Sequence, residues 1–233
     1  MIESFLKQTL PQHFGINPNN VSVPITYKNS PFTEVDEKAC ADAESIQYKN
    51  ESVFNKFNKI CSKCDHVVLY VDNRGQKISV VEFEKYLDDL PKKITNANRC
   101  DLIMTDGVSH NKIVFCDLCC YDERYIGPNE GSHPEGKRAF ARNQMAESVK
   151  MFMNIHLLDQ YILTYPEKIC LFAYRSYLPV QKAVKAERGN AEANMQAMFT
   201  TASTVSGQIT IDDERMNHGF KFVQNQYPAV YNW

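Results

Sequence analysis

The 233-residue chain reads as an α/β protein, with strands gathered into a sheet and helices covering its faces. Three observations predict this class. Apolar runs rich in β-branched and aromatic residues recur along the chain: HVVLYVDN at 66–73, CDLIM at 100–104, KIVFCDLCC at 112–120 and KICLFAY at 168–174. Between the last two lies a stretch with Met145, Val149, Phe152, Ile155, Leu158 and Ile162 at steps of three or four, the period of an amphipathic helix. The hydrophobic content, 43%, suffices at this length to bury a sizeable core.

Taken in order, residues 1–10 suit a short amphipathic helix, and the Pro-, Asn- and Gly-rich stretch that follows is loop with one short strand at 21–27. From 34 to 63 the spacing of Ala39, Ala43, Ile46, Val53, Phe54, Phe57 and Ile60 predicts a long helix or a broken pair. The strand at 66–73 ends in the turn signal Asn73-Arg74-Gly75, and residues 79–90 read as a short helix stopped by Pro91. The runs at 100–104 and 112–120, joined through Asp106-Gly107, predict an antiparallel hairpin. Ser132 stands three residues before Glu135 with Pro134 between them, a capping-box pattern for the long helix that runs on toward Pro166. After the strand at 168–174 come a basic helical stretch (Lys182, Lys185, Arg188), a small-residue run at 200–210 and a last apolar-aromatic strand at 220–233. This order divides the chain into an N-terminal extension (1–33), an α/β core (34–178) and a C-terminal extension (179–233) that packs on the core or docks a partner.

Composition narrows the function classes. The N-terminal MIESFLKQTLPQHF interrupts its apolar positions with acidic and polar residues. No window reaches the roughly 18 consecutive apolar residues of a membrane span, so neither signal peptide nor membrane anchor is expected. Eight cysteines sit mostly within apolar stretches, the pattern of free buried thiols in a reducing, cytoplasmic compartment rather than of a disulfide framework. A formal charge of −2 leaves any nucleic-acid binding to a local basic patch.

Two CxxC pairs, Cys61/Cys64 and Cys116/Cys119, raise a structural zinc site, of which Cys61/Cys64 with His66 is the stronger half. Strand alternation disfavours the second pair. On a strand Cys116 faces with Val114, Leu118 and Cys120, whereas Cys119 faces with Ile113, Phe115 and Asp117, so one ion cannot take both thiolates. The same parity singles out Asp117, a carboxylate inside an apolar strand that is costly unless a metal, an arginine or a lysine compensates it. Asp101 opens the neighbouring strand. A hairpin would bring both acids to one end of the sheet, where hard oxygen ligands suit Mg2+, while a salt bridge to Arg99 or Lys112 is the bland alternative. The six histidines show no HExxH spacing, and no Gly-rich phosphate loop or GxSxG appears. A Cys/His pair of Cys119 or Cys120 with His133 has nothing beyond shared neighbourhood to support it.

The order helix, strand, Asp-bearing strand, second acid-bearing strand, long helix, strand resembles the PD-(D/E)xK nuclease superfamily over residues 34–175. That resemblance implies a central mixed β-sheet flanked by helices, a restriction-endonuclease-like fold. It implies phosphodiester hydrolysis of nucleic acid with Mg2+ or Mn2+, in a prokaryotic or phage-related setting. Asp101 and Asp117 match the family's two acids, Cys119 falls where the family has lysine, and Glu51 or Glu44 would supply a further acid. Gln144 falls where such nucleases often carry glutamine. A cysteine cannot act as a point cation. Lys137, Arg138 and Arg142 at the next helix start are therefore the candidates to replace it and to engage nucleic acid; their bland alternative is a solvated helix face. The rival expectation is a catalytically inactive nuclease-fold subunit, a homodimer or a protein-partner module that docks through 179–233 and its aromatic end YPAVYNW.

Overall fold

A computed structural model describes residues 2–36, 67–94, 99–107, 109–122, 126–128, 135–177, 208–210 and 218–233. Helical turns α1 (Ile2–Ser4) and α2 (Leu10–His13), joined by a π-helical turn at Phe5–Thr9, lead into β1 (Ile25–Lys28) and β2 (Phe32–Val35). There follow β3 (Val67–Asp72), β4 (Ile78–Glu82), α3 (Phe83–Asp88), β5 (Leu102–Asp106) and β6 (Lys112–Asp122). Helices α4 (Gly136–Met153) and α5 (Leu158–Leu163) precede β7 (Glu167–Tyr177), β8 (Gln208–Thr210), β9 (Phe220–Gln226) and β10 (Val230–Asn232).

The protein is α/β, with a mixed seven-stranded sheet in the order β1-β4-β5-β6-β7-β9-β8. The first four strands pair antiparallel, β6, β7 and β9 run parallel, and β8 closes the edge antiparallel. A three-stranded sheet, β10-β3-β2, forms a second layer. The expected hairpin is present as β5 and β6, in register Leu102↔Cys116 to Thr105↔Ile113. Its connection is tied by the Asp106 carboxylate, which accepts the Asn111 N–H at 2.8 Å.

Alternation along β6 assigns the layers. Ile113, Phe115 and Cys119 join Met145, Val149 and Phe152 of α4 in one apolar cluster. Val114, Cys116, Leu118 and Cys120 join Leu69 and Val71 of β3 and Tyr231 of β10 in the other. The two thiols of the second CxxC thus lie on opposite faces of the sheet, as strand alternation requires. Helices cover one face; among the described residues a β-layer, rather than helices, covers the other. Phe115 centres the helical side, its ring meeting Phe152 at 5.3 Å and Phe220 at 5.6 Å between centroids, both edge-on.

Several expectations are corrected. Residues 79–82 belong to strand β4, because Ile78, Val80 and Val81 are buried on both faces, and the helix begins only at Phe83. Glu34 and Val35 are strand, not helix, while the rest of the helix expected to residue 63 lies outside the described residues. The long helix breaks at 154–157, with Leu157 at φ 73, a left-handed conformation that stops propagation. Glu135 is the N-cap of α4 and makes no side-chain cap bond, and Ser132 lies outside the described residues. The strand expected at 21–27 is Ile25–Lys28. Of the stretches before 34 and after 178, β1 and β9 are strands of the central sheet, and Ile2, Leu6 and Leu10 enter the helical-side core, where Tyr86 Oη donates to the Leu6 carbonyl at 2.6 Å.

Truncating Phe115 to alanine should lower unfolding stability by about 3–5 kcal/mol in urea denaturation. Leu163→Ala, at a side chain 48% exposed, should change it by less than about 0.5 kcal/mol.

Candidate functional site

Strand β6 is eleven residues long and its antiparallel neighbour β5 five. Beyond Leu102↔Cys116 the ladder ends, although β6 continues along β7 to Asp122↔Tyr177. One step past the last pair sets Asp101 opposite Asp117, on the face that carries Ile103 and Phe115. Asp101 lies in the bend just before β5, outside the ladder, and the charge of Asp117 acts on its carboxyl, so the two carboxyl groups share one locality. The hairpin brings together the two acids that strand parity had selected.

The open edge of β6 exposes N–H groups at alternate residues, and carboxylates meet them. Leu118 N–H donates to Asp101 Oδ2 at 2.7 Å, and Cys120 N–H donates to Asp36 Oδ2 at 2.7 Å. Asp36 follows β2 of the other sheet, immediately after an irregularity in the register between Glu34 and Val35, the kind of bulge that re-aims a side chain. Sequence reasoning missed Asp36 because residues from 34 onward carry a helical spacing; the strand-like alternation of Phe32, Glu34 and Asp36 was the available signal.

Asp101 is fixed from three sides. Its carbonyl accepts the Phe83 N–H at 2.7 Å and the Glu84 N–H at 3.3 Å where α3 starts. Just before it, Cys100 N–H donates to Ser148 Oγ at 2.9 Å, and Gln144 Nε2 donates to the Arg99 carbonyl at 2.9 Å. Gln144 is thus a brace from α4 to the entry of β5. The salt bridges first considered for the acids form elsewhere: Arg99 pairs with Asp88 and approaches Glu84 at 4.0 Å, and Lys112 pairs with Glu167 at 3.3 Å.

The electrostatics are those of crowded acids. Desolvation holds the Asp101 carboxyl well above the usual carboxylate range, Asp117, Asp36 and Glu84 add repulsion, and the Leu118 N–H opposes them. Asp117 is 6% exposed. Burial, then Asp36 and Asp117, push the Cys119 thiol up, and the Lys137 charge pulls it down without reversing the shift. The shift favours the neutral thiol at Cys119 over the thiolate that a nucleophile needs. Lys137 is nonetheless brought to the acids' side of the sheet. The turn that places it is tight: a Cβ on Gly136 (φ 84) would lie 2.2 Å from the Gly127 carbonyl oxygen, and Arg138 N–H donates to the Ile126 carbonyl at 3.1 Å. Arg138 is exposed, whereas Arg142 is half-buried, with an Nε that lacks a hydrogen-bond partner among the described residues. Glu44, Glu51, Cys61, Cys64, His66 and His133 lie outside the described residues.

Two facing carboxyl groups that repel each other fit a hard divalent ion, which would neutralise them and keep several water ligands of its own. Among the described residues no group of three or more His, Cys, Asp or Glu is placed to hold a metal, so a closed three- or four-ligand cage does not fit here. Among the described residues no helix is long and apolar enough to cross a membrane. No protein-family model, no curated protein and no solved structure matches the chain.

The sign of the Asp101 shift makes a stability prediction. A carboxyl raised in the folded state contributes stability below its unfolded value that is lost as pH rises toward the folded value. In metal-free buffer Asp101→Asn, whose amide oxygen can still accept the Leu118 N–H, should therefore gain on the parent as pH rises from 4 to 8. By pH 8 it should be the more stable of the two in urea denaturation.

Proposed function

We propose that this chain is a nuclease-like protein of PD-(D/E)xK type that hydrolyses phosphodiester bonds of nucleic acid with Mg2+ or Mn2+. The observation that supports this reading most is the facing pair Asp101/Asp117 at the point where β5 ends and β6 runs on. These two would hold the ion, leaving positions open for water and a phosphate oxygen. The bound ion would lower the pKa of its water and polarise the phosphoryl group. Asp36 and Gln144 position the pair, the first through the β6 edge and the second through the entry to β5.

Lys137 supplies the positive charge that Cys119 cannot. Its ammonium acts on the Cys119 thiol from the start of α4, and Arg138, exposed on the next residue, extends that charge outward toward a phosphate backbone. The second reading, an inactive nuclease-fold subunit, is favoured by the neutral, buried Cys119 in the lysine position.

The experiment is a Mg2+ and Mn2+ titration with supercoiled plasmid, single-stranded DNA and RNA. The parent should cut at least one of them, Asp117→Ala should lose about 100-fold or more, and Lys137→Ala should lose about tenfold. Mg2+ should raise the melting temperature of the parent and leave that of Asp117→Asn unmoved. If Mg2+ stabilises the parent yet no substrate is cut, the inactive-subunit reading replaces the enzyme. If Asp117→Ala cuts as well as the parent, the site is wrong.

A further inference from the structure

On the other face of the central sheet, Glu34 projects into the apolar space between the two layers. It follows Phe32 on the same face of β2, stands opposite Leu69 in the register with β3, and is 1% exposed. Among the described residues neither of its carboxyl oxygens has a hydrogen-bond partner. Charged and titratable groups reach it from three strands: Lys28 of β1, Glu82 of β4 and the thiol of Cys116 of β6. Glu82 is itself 3% exposed and shares the face of Val80 and Leu102. A carboxylate left bare in such a place is costly by several kcal/mol, whereas the protonated acid is a tolerable polar group.

We propose that Glu34 is a proton-dependent latch between the two sheets: neutral, it lets β2 lie on the central sheet, and ionised, it loosens β2 together with the Asp36–Cys120 bond two residues on. The inference rests on no catalytic assignment. Burial pushes the Glu34 carboxyl up from 4.5 to about 8, Lys28 pulls the other way, and Glu82 adds to the rise. The folded state therefore keeps a proton that the unfolded chain releases. The stability this contributes is complete below about 4.5 and is lost progressively as pH rises to about 8. The loosened state belongs to mildly alkaline pH, and its nearest consequence is at Cys120, whose N–H gives up its acceptor as β2 moves.

The test compares the parent with Glu34→Gln, in which the side chain keeps its shape and cannot ionise. Between pH 5 and 8 the unfolding constant of the parent should rise relative to that of the variant by up to about tenfold per pH unit. The Cys120 amide, corrected for intrinsic exchange, should lose protection about tenfold or more between pH 7 and 9 in the parent alone. Difference infrared spectra of the parent by itself should show a protonated-carboxyl band that vanishes over the same range, which keeps the proposal testable if the variant fails to fold. Parallel pH profiles in parent and variant, or no such band at pH 6, would overturn it.

Discussion

The structure turns on a mismatch of strand lengths. β6 is held along its whole length by the parallel strand β7, from Lys112↔Glu167 to Asp122↔Tyr177, but on its other edge β5 stops pairing at Cys116. A buried strand edge cannot leave its N–H groups unmet, because each carries a desolvation cost of about 1–3 kcal/mol. Here side chains complete the ladder: Asp101 takes the Leu118 N–H and Asp36 takes that of Cys120. The price of that solution is a concentration of acids, since Asp117 projects from the same stretch and faces Asp101. Structure and chemistry at the site have one cause.

The surroundings make the crowding rigid. α3 begins on the Asp101 carbonyl, α4 grips the residues before it through Ser148 and Gln144, and the two aromatic contacts of Phe115 fix β6 beneath α4 and against β9. The repulsion that Asp117 and Asp36 exert on Asp101 is thereby held in place, and a proton or a cation at Asp101 would relieve it. On the opposite face Glu34 and Glu82 lie buried in an apolar layer. Both faces of the sheet near β4–β6 thus carry buried acids: on the helical side Asp101 and Asp117, the pair proposed to take a metal ion, and on the other Glu34, proposed to keep a proton.

Strand parity was legible in the sequence because it needs only local alternation. From NKIVFCDLCCYDE it followed that Cys116 and Cys119 diverge, that Asp117 shares a face with Cys119, and that a hairpin could carry Asp101 to the same end. What stayed hidden was long-range or conformational. Asp36 lies 84 residues from the amide it caps, and no local pattern announces such a bond. β4 reads as helix in the sequence because VVEFEKYLDDL has apolar residues at both periods, and burial on two faces, a tertiary property, decides for strand. The break between α4 and α5 has no Gly or Pro to mark it; Leu157 adopts its left-handed conformation beside Ile155 and Leu158, both buried in the core. The role of Gln144 as a brace was likewise invisible, because its acceptor is a backbone carbonyl 45 residues earlier.

The central claim is spatial: one divalent ion sits between Asp101 and Asp117. Paramagnetic Mn2+ titrated into isotope-labelled protein tests it without reference to any substrate. The account predicts that substoichiometric Mn2+ broadens the amide resonances of Asp101, Asp117, Leu118 and Cys119 first, leaves the Gly107–Asn111 turn at the far end of the hairpin unaffected, and is displaced by excess Mg2+. Broadening centred on another part of the molecule, or none at millimolar Mn2+, would contradict it.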